Sequence, residues 1–163
     1  MKYVEALHNG IQPQVLSRYA IGYVLRGSKY IYDGDKRQTL PRGSVFYLGI
    51  GHHYIENCPE NGQPFEQVLF YYTPDDLQRI LMHLNITYGL NISNEHTCEN
   101  CRNSNEVFMP AWNSLRNFSI NTNNYLRDEE FRHDETAENI KMTELIYLIA
   151  SHEDCCLKSK LLD

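Results

Sequence analysis

The 163-residue sequence has the length of one domain, and it combines 42% hydrophobic residues with a net charge of −6. The hydrophobic fraction excludes a disordered chain, and the acidic balance argues against direct binding of nucleic acid, which relies on clustered Lys and Arg. No apolar run approaches the ~20 residues that span a bilayer. Because residues 1–10 also lack the pattern of a secretion signal, we expect a cytoplasmic protein, with no membrane partner and with its five cysteines reduced.

The first 73 residues carry the patterns of β-strands. Residues 1–16 are predicted to form an N-terminal arm that closes over a pocket. Apolar and small side chains then alternate with a period of two, and Asp33-Gly34 supplies a hairpin turn. Strands are predicted, in chain order, at 19–26, 28–32, 45–48, 52–57 and 66–72. The segment 41–54, an aromatic strand followed by a glycine-rich corner, is typical of a barrel wall around a small cavity.

Helical patterns replace the strand patterns from residue 74 onward. Thr73 and Asp76 have the spacing of a capping box, and Pro74 suits the first helical position. A second apolar stripe runs from Phe108 to Phe118, and a last helix is predicted to begin near Asp134. The short connection between these two helices favours antiparallel packing. The predicted fold is therefore mainly β plus α, with a β jelly roll over 1–73 followed by an antiparallel helical pair within 74–163.

Several of these motifs resemble the N-terminal domain of AraC-family transcriptional regulators of bacteria. The matching segments are Val24-Leu25-Arg26-Gly27, Pro41-Arg42-Gly43-Ser44, His52-His53-Tyr54 and the exit from Phe65 to Pro74. The resemblance implies a cupin-like jelly roll that senses an effector and dimerises, without catalysis. Residues 142–163 are similar to the helix and linker that precede the DNA-binding half, so DNA would be contacted only through a C-terminal helix-turn-helix domain missing from this chain.

The same resemblance implies where a ligand would bind. Arg26 matches an arginine that contacts the ligand in a sugar-responsive member, and it shares its strand face with Ala20 and Gly22. Tyr54 matches the aromatic residue that stacks on the sugar there. Glu66 and Val68 stand where that member has a histidine and a tryptophan, which implies a different effector. With His52, these four residues form the predicted ligand site, for a small molecule such as a sugar-like effector or for a regulatory protein that meets a filled barrel.

A metal site in the barrel is not predicted. Metal-binding cupins place two histidines two residues apart, whereas His52 and His53 are adjacent and point to opposite faces of a strand. We expect one of them to be buried and hydrogen-bonded and the other to be exposed. Two alternative interpretations are a stand-alone cupin metalloenzyme and a protein-interaction sensor. No cofactor is predicted.

Cysteine spacing offers a weak zinc candidate outside the barrel. Cys98 and Cys101 form half of a zinc knuckle, with His96 nearby. The other pair, Cys155-Cys156, is adjacent, so its sulfur atoms are expected to diverge along a helix. A complete ligand set is not evident from the sequence.

The helical region also suggests a dimer interface. Trp112, Leu115, Leu145 and Ile149 lie on apolar stripes, and helices at this position pair across a two-fold axis in the family. Two amphipathic helices beside a small barrel expose more apolar surface than a monomer usually keeps. We therefore predict a homodimer through these four residues, against the alternative that they pack within their own chain.

Overall fold

The computed structural model describes residues 1–6, 10–93 and 98–162. The strands within these ranges are β1 (Lys2–Ala6), β2 (Gln12–Leu16), β3 (Tyr19–Arg26), β4 (Ser28–Asp33), β5 (Lys36–Leu40), β6 (Ser44–Leu48), β7 (Gly51–Cys58), β8 (Phe65–Tyr72) and β9 (Glu106–Pro110). The helices are α1 (Pro74–Tyr88), α2 (Glu99–Asn103), α3 (Asn113–Leu126), α4 (Glu129–Arg132), α5 (Glu135–Ala150) and α6 (Cys156–Leu162). None of these helices combines the length and the hydrophobicity needed to cross a bilayer.

Two antiparallel sheets and a layer of helices make up the fold. The five-stranded sheet has the order β1-β8-β3-β6-β9, and the four-stranded sheet has the order β2-β7-β4-β5. One cluster of buried side chains lies between the sheets, and a larger one lies between the five-stranded sheet and the helices. The five-stranded sheet is therefore the middle layer, covered on both faces.

The alternation along β3 explains this layering. Ala20 and Val24 belong to the cluster between the sheets, whereas Ile21 and Tyr23 belong to the cluster beneath the helices. Successive side chains of a strand point to opposite faces, so a strand in a middle layer needs hydrophobic residues at nearly every position. The sequence of β3 meets this requirement, and the jelly-roll interpretation of the first half is confirmed.

The predicted helix starts are confirmed at atomic detail. The Thr73 hydroxyl accepts a hydrogen bond from the backbone N–H of Asp76, and the Asp76 carboxylate accepts one from the backbone N–H of Thr73. These bonds lower the pKa of Asp76. Asp134 caps α5 in the same way, by accepting from the N–H of Ala137. Local capping chemistry therefore begins α1 and α5 where the sequence predicted, whereas α3 begins at Asn113 without a side-chain cap.

Several segments differ from the prediction, and β5 is a strand that was not predicted. β1 and β2, expected as a closing arm, pair with β8 and β7 at the sheet edges. After α1 the chain returns to the sheet, where β9 pairs with β6. Phe108, predicted on a helical stripe, therefore lies in a strand opposite Phe46. The edge of β6 explains why this segment is a strand. Without β9, the backbone N–H and C=O groups along that edge would lack partners within the sheet.

Candidate ligand-binding site

The predicted ligand residues do not converge on one cavity. His52 and Tyr54 lie on the outer face of β7, with Tyr54 52% exposed. Val68 is fully buried beneath the helices, in the cluster outside the barrel. Side chains alternate along β7, so His52 and Tyr54 point outward because His53 and Ile55 take the inward positions. The prediction that one histidine is buried and its neighbour exposed is confirmed.

Arg26 and Glu66 are bound to each other. Arg26 Nη2 donates to Glu66 Oε1 over 2.5 Å, and Arg26 Nε donates to the Pro64 carbonyl over 2.8 Å. Arg127 Nη2 lies 3.9 Å from the other Glu66 oxygen. The pairing of β3 with β8 shifts register between Val24 and Arg26. This irregularity interrupts the alternation of side chains along β3, which had predicted that Arg26 points into the barrel. Both charges are therefore satisfied within the chain rather than offered to a ligand.

His53 connects three segments of the barrel. Its Nδ1 lies 2.8 Å from Glu106 Oε1, and its Nε2 lies 2.7 Å from the Gly49 carbonyl. Burial by itself lowers the pKa of His53, but the hydrogen bonds to Glu106 and Gly49 outweigh it and raise the pKa. Both partners are acceptors, so the doubly protonated ring satisfies them best. Because both ring nitrogens are occupied in this way, His53 tethers β9 to β7.

The interior of the barrel is filled by side chains. Phe46 is fully buried, and its ring takes the space beside Gly22, where a Cβ atom would lie 2.1 Å from the ring. Phe65 and Ile31 pack in the same cluster between the sheets. The predicted barrel cavity is therefore occupied by the chain itself.

A lysine is buried in this interior. Lys29 is 1% exposed, and its Nζ donates over 3.0 Å to Asn57 Oδ1 and over 3.0 Å to Gln67 Oε1. The rings of Phe46 and Phe65 lie 5.0 Å and 5.6 Å from the same nitrogen. Burial lowers the pKa of Lys29 to about 7. Lys29 was not among the predicted site residues, although its spacing of two from Ile31 on β4 indicates that both side chains face inward.

An open cleft lies on the other side of the five-stranded sheet. Its volume is about 520 Å³, within the range of small-molecule sites. Its walls are the end of β3, the turn before β6, the end of β9 and one side of α3, and the lining residues are Tyr23, Leu25, Pro41, Arg42, Gly43, Ser44, Pro110, Ala111, Arg116 and Ile120.

Backbone hydrogen bonds hold the walls of this cleft together. The Gly43 N–H donates to the Val24 carbonyl over 2.9 Å, and the Ala111 N–H donates to the Gly43 carbonyl over 3.0 Å. Gly43 has a φ of 91°, a conformation that side chains disfavour, so glycine suits this turn. The turn, β3 and the end of β9 therefore form one preformed wall, which faces α3.

The electrostatics of the cleft favour an anion. Arg42 and Arg116 both act on Tyr23: burial raises the pKa of this phenol, and the two guanidinium groups oppose that shift. The phenol thus stays protonated near neutral pH and can donate a hydrogen bond. Arg116 Nη2 donates weakly to the Ala111 carbonyl at 3.4 Å. Within the described part of the chain, neither arginine forms an ion pair with a carboxylate.

A larger cavity has a different character. It is a groove of about 790 Å³ between α1 and α5, and its cation, Arg79, is paired with Asp76 at 3.3 Å. Glu144 also lines it and would repel an anionic ligand. Three exposed apolar residues line the groove, namely Tyr88, Ile140 and Tyr147, and two more, Met82 and Ile86, lie on the adjoining face of α1. Its size and rim suit a macromolecular contact better than a small anion.

The predicted dimer residues lie elsewhere, inside the chain. Leu115, Leu145 and Ile149 are at most 1% exposed and belong to the core beneath the helices. Trp112 is partly buried, with its ring stacked on His152 at 3.7 Å. A side chain with no exposed surface cannot contact a second copy, so the stripe that suggested a dimer interface is the inner face of the helical layer.

Potential metal ligands converge away from both cavities. Within the described residues, the only group of three or more His, Cys, Asp or Glu ligand atoms that could hold a metal consists of Cys98, Cys101 and Cys156. His96, the third residue of the weak zinc candidate, lies outside the described residues.

Comparisons with known proteins agree with this architecture. A sequence-family model described as the AraC-like ligand binding domain matches residues 4–133. A search of curated proteins gave no significant match. An apo ToxT variant from Vibrio cholerae superposes with a TM-score of 0.61 at 10% identity, covering 94% of this chain and 58% of that chain.

Two further ToxT structures contain bound acids. ToxT with an unsaturated fatty acid has a TM-score of 0.50 at 10% identity, covering 90% of this chain and 52% of that chain. ToxT bound to (E)-4-(8-methylnaphthalen-1-yl)but-3-enoic acid has a TM-score of 0.51 at 7% identity, covering 90% of this chain and 54% of that chain. The chain thus spans little more than half the length of the ToxT chains it matches, and at these identities the likeness concerns the fold.

Proposed function

Because the chain belongs to the family of AraC-like ligand binding domains, we propose that it senses a small amphipathic carboxylic acid in the cleft between β3 and α3. One observation carries this proposal: Arg42 and Arg116 flank the Tyr23 phenol in a cleft of about 520 Å³, and neither arginine has a carboxylate partner among the described residues. Two ToxT structures of the same fold hold carboxylic acids, which supports this ligand class.

The cleft offers complementary groups to both ends of such a molecule. A carboxylate between the two guanidinium groups would accept charge-assisted hydrogen bonds, each contributing about 1.5–3 kcal/mol. Leu25 and Ile120 provide apolar wall for the rest of the ligand. The proposal replaces a sugar-like effector, because the residues that suggested a sugar are paired, exposed or buried beneath the helices.

Substitution of Arg116 by alanine tests the cleft. We expect the affinity for an unsaturated fatty acid, measured by isothermal titration calorimetry below its micelle concentration, to fall about tenfold or more through the loss of a charge-assisted contact. Arg116 is exposed on α3, so its removal should leave folding intact. Arg37→Ala is the matched control, since Arg37 is an exposed arginine on β5 that stacks on Tyr30.

The methyl ester of the same fatty acid separates charge recognition from apolar binding. It should bind the unmodified protein more weakly than the acid does, and Arg116→Ala should not weaken it further. Equal affinity of acid and ester, or unchanged acid affinity in Arg116→Ala, would refute a carboxylate site in this cleft.

The barrel interior is a second candidate location, favoured by the buried amine of Lys29. There, Nζ is held by two neutral amide oxygens, so an entering carboxylate would give it a charged partner. Phe46 fills the space and would have to move. In that case Lys29→Met, and not Arg116→Ala, would weaken fatty-acid binding.

Binding rather than catalysis is the proposed activity, in a cytoplasmic regulator that contacts DNA through a separate domain. The cleft's polar side chains are two guanidinium groups, a phenol with a raised pKa and the Ser44 hydroxyl, and no lining residue supplies the histidine or carboxylate base that would activate a nucleophile. The effector would act by favouring one position of α3, which packs against α5. The effector can shift the equilibrium between two positions of α3 by no more than the difference between its binding free energies to them.

A homodimer formed through the groove between α1 and α5 and the adjoining face of α1, which carries Met82 and Ile86, completes the proposal. Five of the exposed large apolar residues lie on these two helices, and Ile86 is 75% exposed. We expect Ile86→Asp to weaken self-association at least about tenfold, because it places a charge in a desolvated interface. Sedimentation equilibrium measures this. Ile50→Asp, at an exposed position between β6 and β7, is the control, and dimers of equal strength in both variants would contradict the assignment.

A further inference from the structure

Three cysteines from distant parts of the sequence meet at one end of the helical layer. Cys98 and Cys101 lie at the start of α2, and Cys156 is the first residue of α6. The three sulfur atoms lie within 4.8 Å of one another. In contrast to the expectation that all five cysteines are reduced, Cys101 and Cys156, 55 positions apart with Cα atoms 5.5 Å apart, are joined as a disulfide. Since a disulfide uses only two sulfur atoms, it does not account for the third.

We propose that these three cysteines, in their reduced form, bind one Zn²⁺ ion. Zinc in proteins is tetrahedral with Zn–S distances of about 2.3 Å, which places sulfur ligands about 3.8 Å apart. Small side-chain rotations bring sulfur atoms within 4.8 Å of one another to that spacing. Cys98 and Cys101 have the two-residue spacing of zinc-binding loops, and Cys156 supplies the third ligand. On binding, each thiol releases its proton to solvent and coordinates as a thiolate.

The surroundings suit a structural metal site. Cys101 is 3% exposed, whereas Cys98 and Cys156 are partly buried, so the three sulfur atoms lie where the protein interior meets its surface. The first two cysteines are already held in position by the helical turn of α2. The Arg102 N–H donates to the Cys98 carbonyl over 3.2 Å, and the Ser104 N–H donates to the Cys101 carbonyl over 3.3 Å.

Two residues close to the three cysteines, Lys160 and Cys155, are not proposed as zinc ligands. Lys160 Nζ donates to the Arg102 carbonyl at 3.2 Å, which brings a positive charge to the loop and partly offsets three thiolates. The neighbouring Cys155 has another role, since its sulfur accepts a hydrogen bond from the Lys158 N–H at 3.5 Å. The two adjacent cysteines therefore have different contacts: Cys155 accepts a backbone hydrogen bond within its own turn, and Cys156 contacts Cys101 of α2.

The proposed zinc ion would fasten α6 to the segment before β9. α6 buries Leu157 and Leu161 against the core and also contacts β9. A metal at its first residue would hold this helix in place independently of the effector cleft. The site is thus separate from the proposed effector function, and either proposal can fail without the other.

Elemental analysis of the whole chain tests the site. The protein is purified with a phosphine reductant and without added metal, and about one zinc per chain is expected. Cys98→Ser and Cys156→Ser should each lose most of the metal. Cys58→Ser, at a free cysteine on β7, should retain it. Cys98 is partly exposed, so its substitution should not disturb folding.

Cobalt gives a readout that needs no variant. Co²⁺ added to the metal-free, reduced protein should produce the near-ultraviolet charge-transfer absorption of thiolate coordination, and Zn²⁺ should abolish it. Reduced protein that binds neither metal would overturn the proposal. So would a Cys101–Cys156 disulfide in metal-free protein isolated from the cytoplasm with thiols blocked at lysis, or full zinc content in both serine variants.

Discussion

The free energy of unfolding should rise between pH 7 and pH 9 by about 2–3 kcal/mol more in the unmodified protein than in Lys29→Met. Burial lowers the pKa of Lys29 from its ordinary 10.5 to about 7. Between these values the unfolded chain binds a proton that the folded chain does not. Stability therefore increases with pH across this window, at about 1.4 kcal/mol per pH unit.

Denaturation by urea at pH 7, 8 and 9 measures this difference. Lys29→Met keeps the length of the side chain and removes the titrating amine, but it leaves Asn57 and Gln67 without their donor. Only the slopes with pH are therefore compared. His53, whose pKa is raised, loses its stabilising contribution as pH rises, and this effect is present in both proteins and cancels. Parallel pH profiles would show that Lys29 is not buried as a titrating group.

Phe46→Ala should destabilise the protein by about 3–5 kcal/mol, because it opens a cavity between the two sheets. Phe46 is fully buried, and its ring fills the space that Gly22 leaves open. Chemical denaturation at constant pH measures the loss. Phe108→Ala is the matched control, since Phe108 lies opposite Phe46 in the ladder and is only partly buried, so it should lose clearly less.

Coupling between Phe46 and Gly22 provides a sharper check. Gly22→Ala alone places a methyl group against the Phe46 ring and should destabilise the protein, whereas in Phe46→Ala the same methyl group has room. Additive effects in the double variant would contradict the packing of the barrel interior.

Phe46→Ala also distinguishes the two candidate ligand locations. An effector bound in the cleft between β3 and α3 should keep its affinity in the folded variant, because the cleft lies on the opposite face of the sheet. An effector bound beside Lys29 should bind more tightly, since the variant removes the side chain that it must displace.

Features that depend on near neighbours in the sequence were predictable. Alternation of side chains identified the strand that became β3, and the spacing of Thr73 and Asp76 identified the start of α1. The adjacency of His52 and His53 correctly predicted one buried and one exposed ring. In each case the physical cause acts within a few residues, as strand pleating or as a capping hydrogen bond.

The tertiary structure decided which residues meet across long separations. The register shift before Arg26 directs its side chain toward Glu66, with which it forms an ion pair. Pairing with the edge of β6 places Phe108 in a strand and not in a helix. Cys156 reached Cys101 across 55 positions, a contact that the sequence does not encode locally. The amino-acid sequence by itself thus determined the central strands of the barrel and the starts of α1 and α5. The cleft of Arg42 and Arg116, the buried Lys29 and the cysteine cluster arise only when sheets and helices pack, because their neighbours come from different elements.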